Sequence, residues 1–137
     1  MKKTYIPFNK AFLSGKEITY IKDTQVYRKI SGNGTLTKKC HKFCEENIGC
    51  KKALLTTSCT DALEMTAILA NFKAGDEVIM PTYTFVSTAN AFILRGAKII
   101  FIDSRNDHPG MDENKIEEVI NEKTKAIVPV HYAGVAC

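Results

Sequence analysis

No window of this chain holds the roughly 20 consecutive apolar residues that a membrane-spanning helix needs, so a helical transmembrane protein is excluded. The opening MKKTYIPFNK carries two lysines with no apolar stretch behind them, which excludes a secretory signal. No Cys-x-x-Cys pair occurs among the five cysteines, Cys40, Cys44, Cys50, Cys59 and Cys137. An odd count without a signal argues against a disulfide framework and for reduced thiols in the cytoplasm. Cys40, His41 and Cys44 lack the spacing of a metal site, and with Phe43 between them they read as one apolar helix face. Low-complexity tracts are missing too, which removes the disordered and fibrous classes. The formal charge is only +4. Its densest run, Lys38-Lys39-Cys40-His41-Lys42, has no interleaved aromatic residues, so it reads as a solvated surface and not as a nucleic-acid patch.

What is present is a globular composition: 137 residues, 45% apolar and 25% charged, enough for one domain with a core. Residues 1–15, punctuated by Pro7 and Gly15, read as an extended arm, and residues 16–137 as one domain. Residues 16–30 carry a helical pattern with Ile18, Ile21 and Tyr27 or Ile30 turned inward. Ser31-Gly32-Asn33-Gly34 is a loop, because Asn and Gly tolerate positive φ. Leu36, Cys40, Phe43, Cys44 and Ile48 recur at three- and four-residue steps, which predicts an amphipathic helix ending near Gly49.

The pattern then changes. Ala53-Leu54-Leu55-Thr56 reads as a short strand. The helix expected from about Thr60 to Phe72 is apolar around most of its circumference and should be largely buried. Lys73–Asp76 forms a turn, and Glu77–Met80 a strand stopped by Pro81. A helix from about Phe85 to Arg95 ends at Gly96. Lys98–Ile102 is a strand, Asp112 caps a helix carrying Ile116, Val119 and Ile120, and Ala126–Val130 is a last strand. Pro129, which cannot donate to a ladder, marks that strand's end or an unpaired edge. Short strands alternating with helices predict an α/β domain on a largely parallel sheet, its apolar strands covered on both faces.

Ligands in such sheets gather at the carboxyl ends of the strands, and three segments fall there. Thr57-Ser58-Cys59-Thr60-Asp61 opens a helix after an apolar run. Unpaired N–H groups and the positive dipole end suit a phosphate, although the same residues would serve an ordinary helix cap. Met80-Pro81-Thr82-Tyr83-Thr84-Phe85 follows a strand and places Phe85 where it could stack on a flat ligand or start a core helix. Val130-His131-Tyr132-Ala133-Gly134 puts His131 past the last strand.

These segments carry a resemblance. SCTDAL, then GDEVIMPTYTFVSTANAFILRGAKIIFID, then VPVHYAGVA, together with IPFNK and the SGNG loop, resemble the DegT/StrS-type sugar aminotransferases over the whole chain. The wording is most similar to the members that aminate dTDP-4-keto-6-deoxy sugars. The resemblance implies the first part of a fold-type-I, three-layer αβα domain, a pyridoxal 5'-phosphate (PLP) cofactor, glutamate as donor, a nucleotide-sugar substrate, a homodimer, and a role in making aminosugars for lipopolysaccharide and related surface polysaccharides. It also implies that Ser58, Cys59 and Thr60 hold the PLP phosphate and that Phe85 stacks on the pyridine. Asn33, Gly34, His131 and Tyr132 fall near the substrate. The Schiff-base lysine and the carboxylate that pairs with the pyridine nitrogen are expected beyond residue 137, which reads the chain as truncated and without a catalytic residue of its own. A dehydratase of the same fold and an inactive fragment are the alternatives.

Overall fold

The computed structural model describes residues 5–7 and 9–137. They form two compact units divided between Leu55 and Thr56.

The first unit holds two helices. Residues 5–7 and 9–15 adopt no helix or strand; residues 1–4 and 8 of the expected arm lie outside the described residues. Helix α1 spans Glu17–Val26 and α2 spans Thr35–Ile48. Gly49 ends α2 at φ 74°, a left-handed C-cap that glycine enters without a Cβ penalty. The inward faces expected from periodicity are not buried. Ile18, Ile21, Tyr27 and Ile30 are exposed, as are Phe43 and Ile48. Two short helices do not provide enough neighbours to cover each other's apolar stripes. The strand expected at residues 53–56 is also absent. Its backbone donors go elsewhere: the Ala53 N–H donates to Glu45 Oε1 at 3.1 Å and the Leu55 N–H to His41 Nε2 at 3.0 Å. Both acceptors are side chains of α2, so these two donors, which share one edge of the segment, are taken from any neighbouring strand.

The second unit is an α/β layer structure. Helix α3 spans Cys59–Leu69, β1 Glu77–Pro81, α4 Val86–Ile93 and β2 Lys98–Ile102. A 3-10 turn at Glu113–Lys115 runs into the short α5, Ile116–Val119. Strand β3, Thr124–Ile127, is shorter than the sequence suggested, and Pro129 lies past its end; the Val128 N–H still donates to Ile79 O at 2.8 Å. All three strands are parallel, in the order β2-β1-β3.

The pleat of β1 divides the core. Val78 and Met80 face α3 and α4 with Ala67, Phe72, Ala89 and Phe92. Ile79 faces the opposite side with Ile102, Met111, Ile116 and Val119. Helices therefore cover both faces, which is the three-layer arrangement. Phe72 and Phe92 meet edge to face with centroids 5.0 Å apart. Gly96 closes the turn into β2 at φ +83°, where a Cβ would come within 3.1 Å of Ala74 Cα.

Cover is uneven, against the expectation of strands buried throughout. Only β1 is buried along its whole length, while Phe101 and Ile127 on the flanking strands are exposed. Helix α3 is likewise not buried all round: Ala67 is its only buried residue, and Ile68 and Leu69 face solvent. Among the described residues no helix is long and apolar enough to cross a membrane, and all five cysteines are free thiols.

Candidate functional site at the carboxyl edge of the sheet

The chain leaves β1 to build β2 on one side and then crosses to build β3 on the other. The carboxyl end of β1 is thus a topological switch point, where loops diverge and open a crevice.

Before α3, Ser58 has the extended conformation of an N-cap, and its Oγ accepts the Asp61 N–H at 3.1 Å. The Ala62 N–H reaches Ser58 O. Those two bonds use the third and fourth donors of the helix. The N–H groups of Cys59 and Thr60, the first two, have no partner among the described residues. Cys59 is exposed and Thr60 partly so. Thr57 Oγ1 donates to the Asp61 carboxylate. That hydroxyl first, and Ser58 second, hold the Asp61 carboxyl below its ordinary range by stabilising the charged form. The result is a capped helix start with two free donors aimed along a positive dipole end.

After β1, Pro81 is buried and the Thr82 N–H donates to Ile102 O at 2.8 Å. A tight turn follows, in which the Thr84 N–H reaches Thr82 O. Phe85 then caps α4 with its side chain 69% exposed. After β3, His131 Nδ1 accepts the Cys137 N–H at 3.0 Å. In the neutral ring the proton therefore sits on Nε2, free to donate. Tyr132 begins a 3-10 turn, and its ring lies 4.5 Å from that of Tyr83, tilted 51°. The neighbouring phenol raises the pKa of Tyr83.

Six of the eight residues singled out in the sequence lie in this unit, at loops following β1 and β3 or opening α3. Asn33 and Gly34 lie in the other unit. Asn33 takes a left-handed φ of 57°, and Gly34 is the N-cap of α2.

The sequence reading missed Tyr83 as a site residue and passed over the loop after β2. Ser104 to Pro109, Tyr83, Tyr132 and Ala133 line an open cleft of about 500 Å³. The polar run Asp103-Ser104-Arg105-Asn106-Asp107 immediately after an apolar strand was the available signal.

Most lysines of this unit are remote from that edge. Lys73 precedes β1, Lys98 opens β2, and Lys123 and Lys125 flank the start of β3, all at the amino ends of strands. Lys115 pairs with Asp103 at 3.5 Å and Asp112 at 4.0 Å.

Comparison with known proteins agrees with this layout. The profile of the DegT/DnrJ/EryC1/StrS aminotransferase family matches residues 14–137. An uncharacterized protein of Methanocaldococcus jannaschii is 34% identical over the whole chain, which covers 35% of that protein. A Streptococcus pneumoniae protein assigned as a sugar aminotransferase, solved in PLP, PMP and apo forms, is 32% identical with a TM-score of 0.83, over 96% of this chain and 33% of that one. The Escherichia coli GDP-4-keto-6-deoxy-D-mannose-3-dehydratase with bound hydrated PLP shares the fold, with a TM-score of 0.81 at 21% identity over 91% of this chain and 33% of that one. The chain spans about a third of the length of these relatives.

Proposed function

Because the chain belongs to the DegT/DnrJ/EryC1/StrS aminotransferase family, we propose that it contributes the phosphate-binding end of a PLP site in an enzyme that aminates a nucleotide-linked keto sugar. The observation that carries this reading is the pair of unpartnered N–H groups at Cys59 and Thr60, at the head of α3. Two free donors on a positive dipole end suit a phosphate, and the exposed Phe85 ring on the same unit suits a flat heteroaromatic face, so the residues present fit the cofactor. Bound PLP supplies an electron sink for moving an amino group between an amino acid and a keto carbon.

The chain's own groups bind and orient. Cys59 and Thr60 donate their N–H groups to the phosphate. Ser58, whose Oγ accepts the Asp61 N–H and whose hydroxyl helps hold the Asp61 carboxylate, fixes this helix start beside the phosphate. Phe85 covers one face of the ring and excludes water. His131 Nε2–H and Tyr132 offer donors to the substrate beside the cofactor, and Asn33 and Gly34 serve the nucleotide side. Glutamate is the amino donor, a dTDP-4-keto-6-deoxy sugar the acceptor, and surface-polysaccharide aminosugars the product class.

Binding is tested by equilibrium dialysis of PLP against pyridoxal. PLP should bind at least about tenfold more tightly, a difference of 1.4 kcal/mol; equal retention of the two would overturn the phosphate assignment. Reaction type is tested by incubation with PLP, glutamate and a dTDP-4-keto-6-deoxyhexose. Nitrogen incorporated at the keto carbon supports amination. Loss of the neighbouring hydroxyl without nitrogen supports the dehydratase reading. PLP retention with no turnover supports an inactive chain.

A further inference from the structure

Resting on that keto-sugar reading, we infer that Tyr83, Tyr132 and the loop after β2 form a pocket for the pyranose ring of the substrate and not for its diphosphate. Tyr83 follows β1 and Tyr132 follows β3, so the two rings meet across the switch point, 4.5 Å apart. The loop from Ser104 to Pro109 lines the rest of the open cleft of about 500 Å³. That lies within the roughly 300–1,000 Å³ of small-molecule sites.

A pyranose presents an apolar C–H face and a rim of hydroxyls. Tilted tyrosine rings meet the first. The planar polar groups of Asn106, Asp107 and Arg105 meet the second. Asn106 makes no side-chain hydrogen bond among the described residues, so its amide is available. Ser104 lines the cavity, and its Oγ is shielded from solvent with no hydrogen-bond partner. Such orphan hydroxyls are uncommon in a finished structure.

Charge excludes the diphosphate. Arg105 is the only lysine or arginine among the lining residues, and Asp107 holds it at 2.9 Å and Glu113 at 2.5 Å. With two carboxylates on one guanidinium, the pocket offers no net positive charge to a phosphate. A neutral ring with hydroxyl groups suffers no such penalty.

The test follows the tyrosine ring resonances of the full chain by NMR. Three probes are added separately: dTDP-6-deoxyglucose, free 6-deoxyglucose and dTDP. The two sugar-bearing probes should shift the Tyr83 and Tyr132 rings, and dTDP alone should leave them in place. Tyr83→Ala should weaken dTDP-6-deoxyglucose binding by at least about tenfold. Asn106→Ala, which removes no structural hydrogen bond and so keeps the fold, should do the same. Ring shifts from dTDP alone, or unchanged sugar affinity in Asn106→Ala, would overturn the assignment. Dialysis of PLP against pyridoxal on the same samples separates the two readings. Phosphate-dependent PLP binding without sugar-dependent ring shifts sinks the pocket alone; the reverse sinks the cofactor reading alone.

Discussion

Two substitutions at Ser58 separate a helix cap from a phosphate site. Ser58 Oγ satisfies the Asp61 N–H at 3.1 Å, and Ser58→Ala leaves that donor without its partner. Loss of a Ser cap costs about 0.5–2 kcal/mol. For a unit of this size each kcal/mol lowers the melting midpoint by about 4–8 °C, so Ser58→Ala should melt several degrees lower. Ser58→Asp is the informative partner. Aspartate caps helices as well as serine does, so the midpoint should stay near that of the parent. Its carboxylate, however, would sit beside the free N–H groups of Cys59 and Thr60. Two like charges about 4 Å apart repel by about 1 kcal/mol in water and about 4 kcal/mol near a protein surface. PLP affinity should therefore fall by about fivefold to several hundredfold. Thermal melts followed by circular dichroism and PLP dialysis, run on both variants, give the two readouts. If Ser58→Asp keeps both its midpoint and its PLP affinity, the helix start is only a cap and the phosphate assignment is refuted.

Other consequences can be checked directly. Phe92→Ala opens a cavity against Phe72 in the core of the second unit. It should cost about 3–5 kcal/mol, a large share of the roughly 5–15 kcal/mol that holds a domain folded, and lower the melting midpoint by more than about 10 °C. Asp61 has its carboxyl pKa lowered by Thr57 and then Ser58. Its contribution is therefore present above the ordinary carboxylate pKa and lost as pH falls through the lowered folded value. Urea melts between about pH 5 and pH 2 should lose less stability in Asp61→Asn than in the parent. The exposed apolar residues of α1, α2 and α3 and the open outer edges of β2 and β3 should make the chain self-associate. Sedimentation should then show oligomers whose population rises with concentration, and a monodisperse monomer with a sharp thermal transition would contradict this.

The parts of the fold legible in the sequence were those set by local chemistry. Gly49 announced the end of α2 because only a residue tolerant of left-handed φ closes a helix that way. The apolar runs Glu77–Met80 and Lys98–Ile102 read as strands and are strands. Pro129 marked the end of the last strand because it has no N–H to give. Burial was poorly legible. Ile18, Ile68 and Leu69 have the right periodicity for a core, but periodicity says which residues share a face and not whether anything covers it. The run Ala53-Leu54-Leu55 failed as a strand for a related reason, since the Ala53 and Leu55 donors found Glu45 and His41 and not a neighbouring strand. At the site, the helix start at Ser58 was visible because its capping chemistry is contiguous. The Tyr83–Tyr132 pairing was not, because the two residues meet only once β1 and β3 lie side by side.

If the start of α3 offers two backbone donors to a phosphate, the backbone amide resonances of Cys59 and Thr60 report it. The isotope-labelled chain is titrated with inorganic phosphate and then with PLP. The Cys59 and Thr60 amides should move first and furthest in both titrations, the Asp61 amide, already bonded to Ser58 Oγ, should move less, and Ser58→Asp should suppress all three changes. Cys59 and Thr60 amides that stay in place while PLP binds elsewhere on the chain would contradict a phosphate site at this helix start.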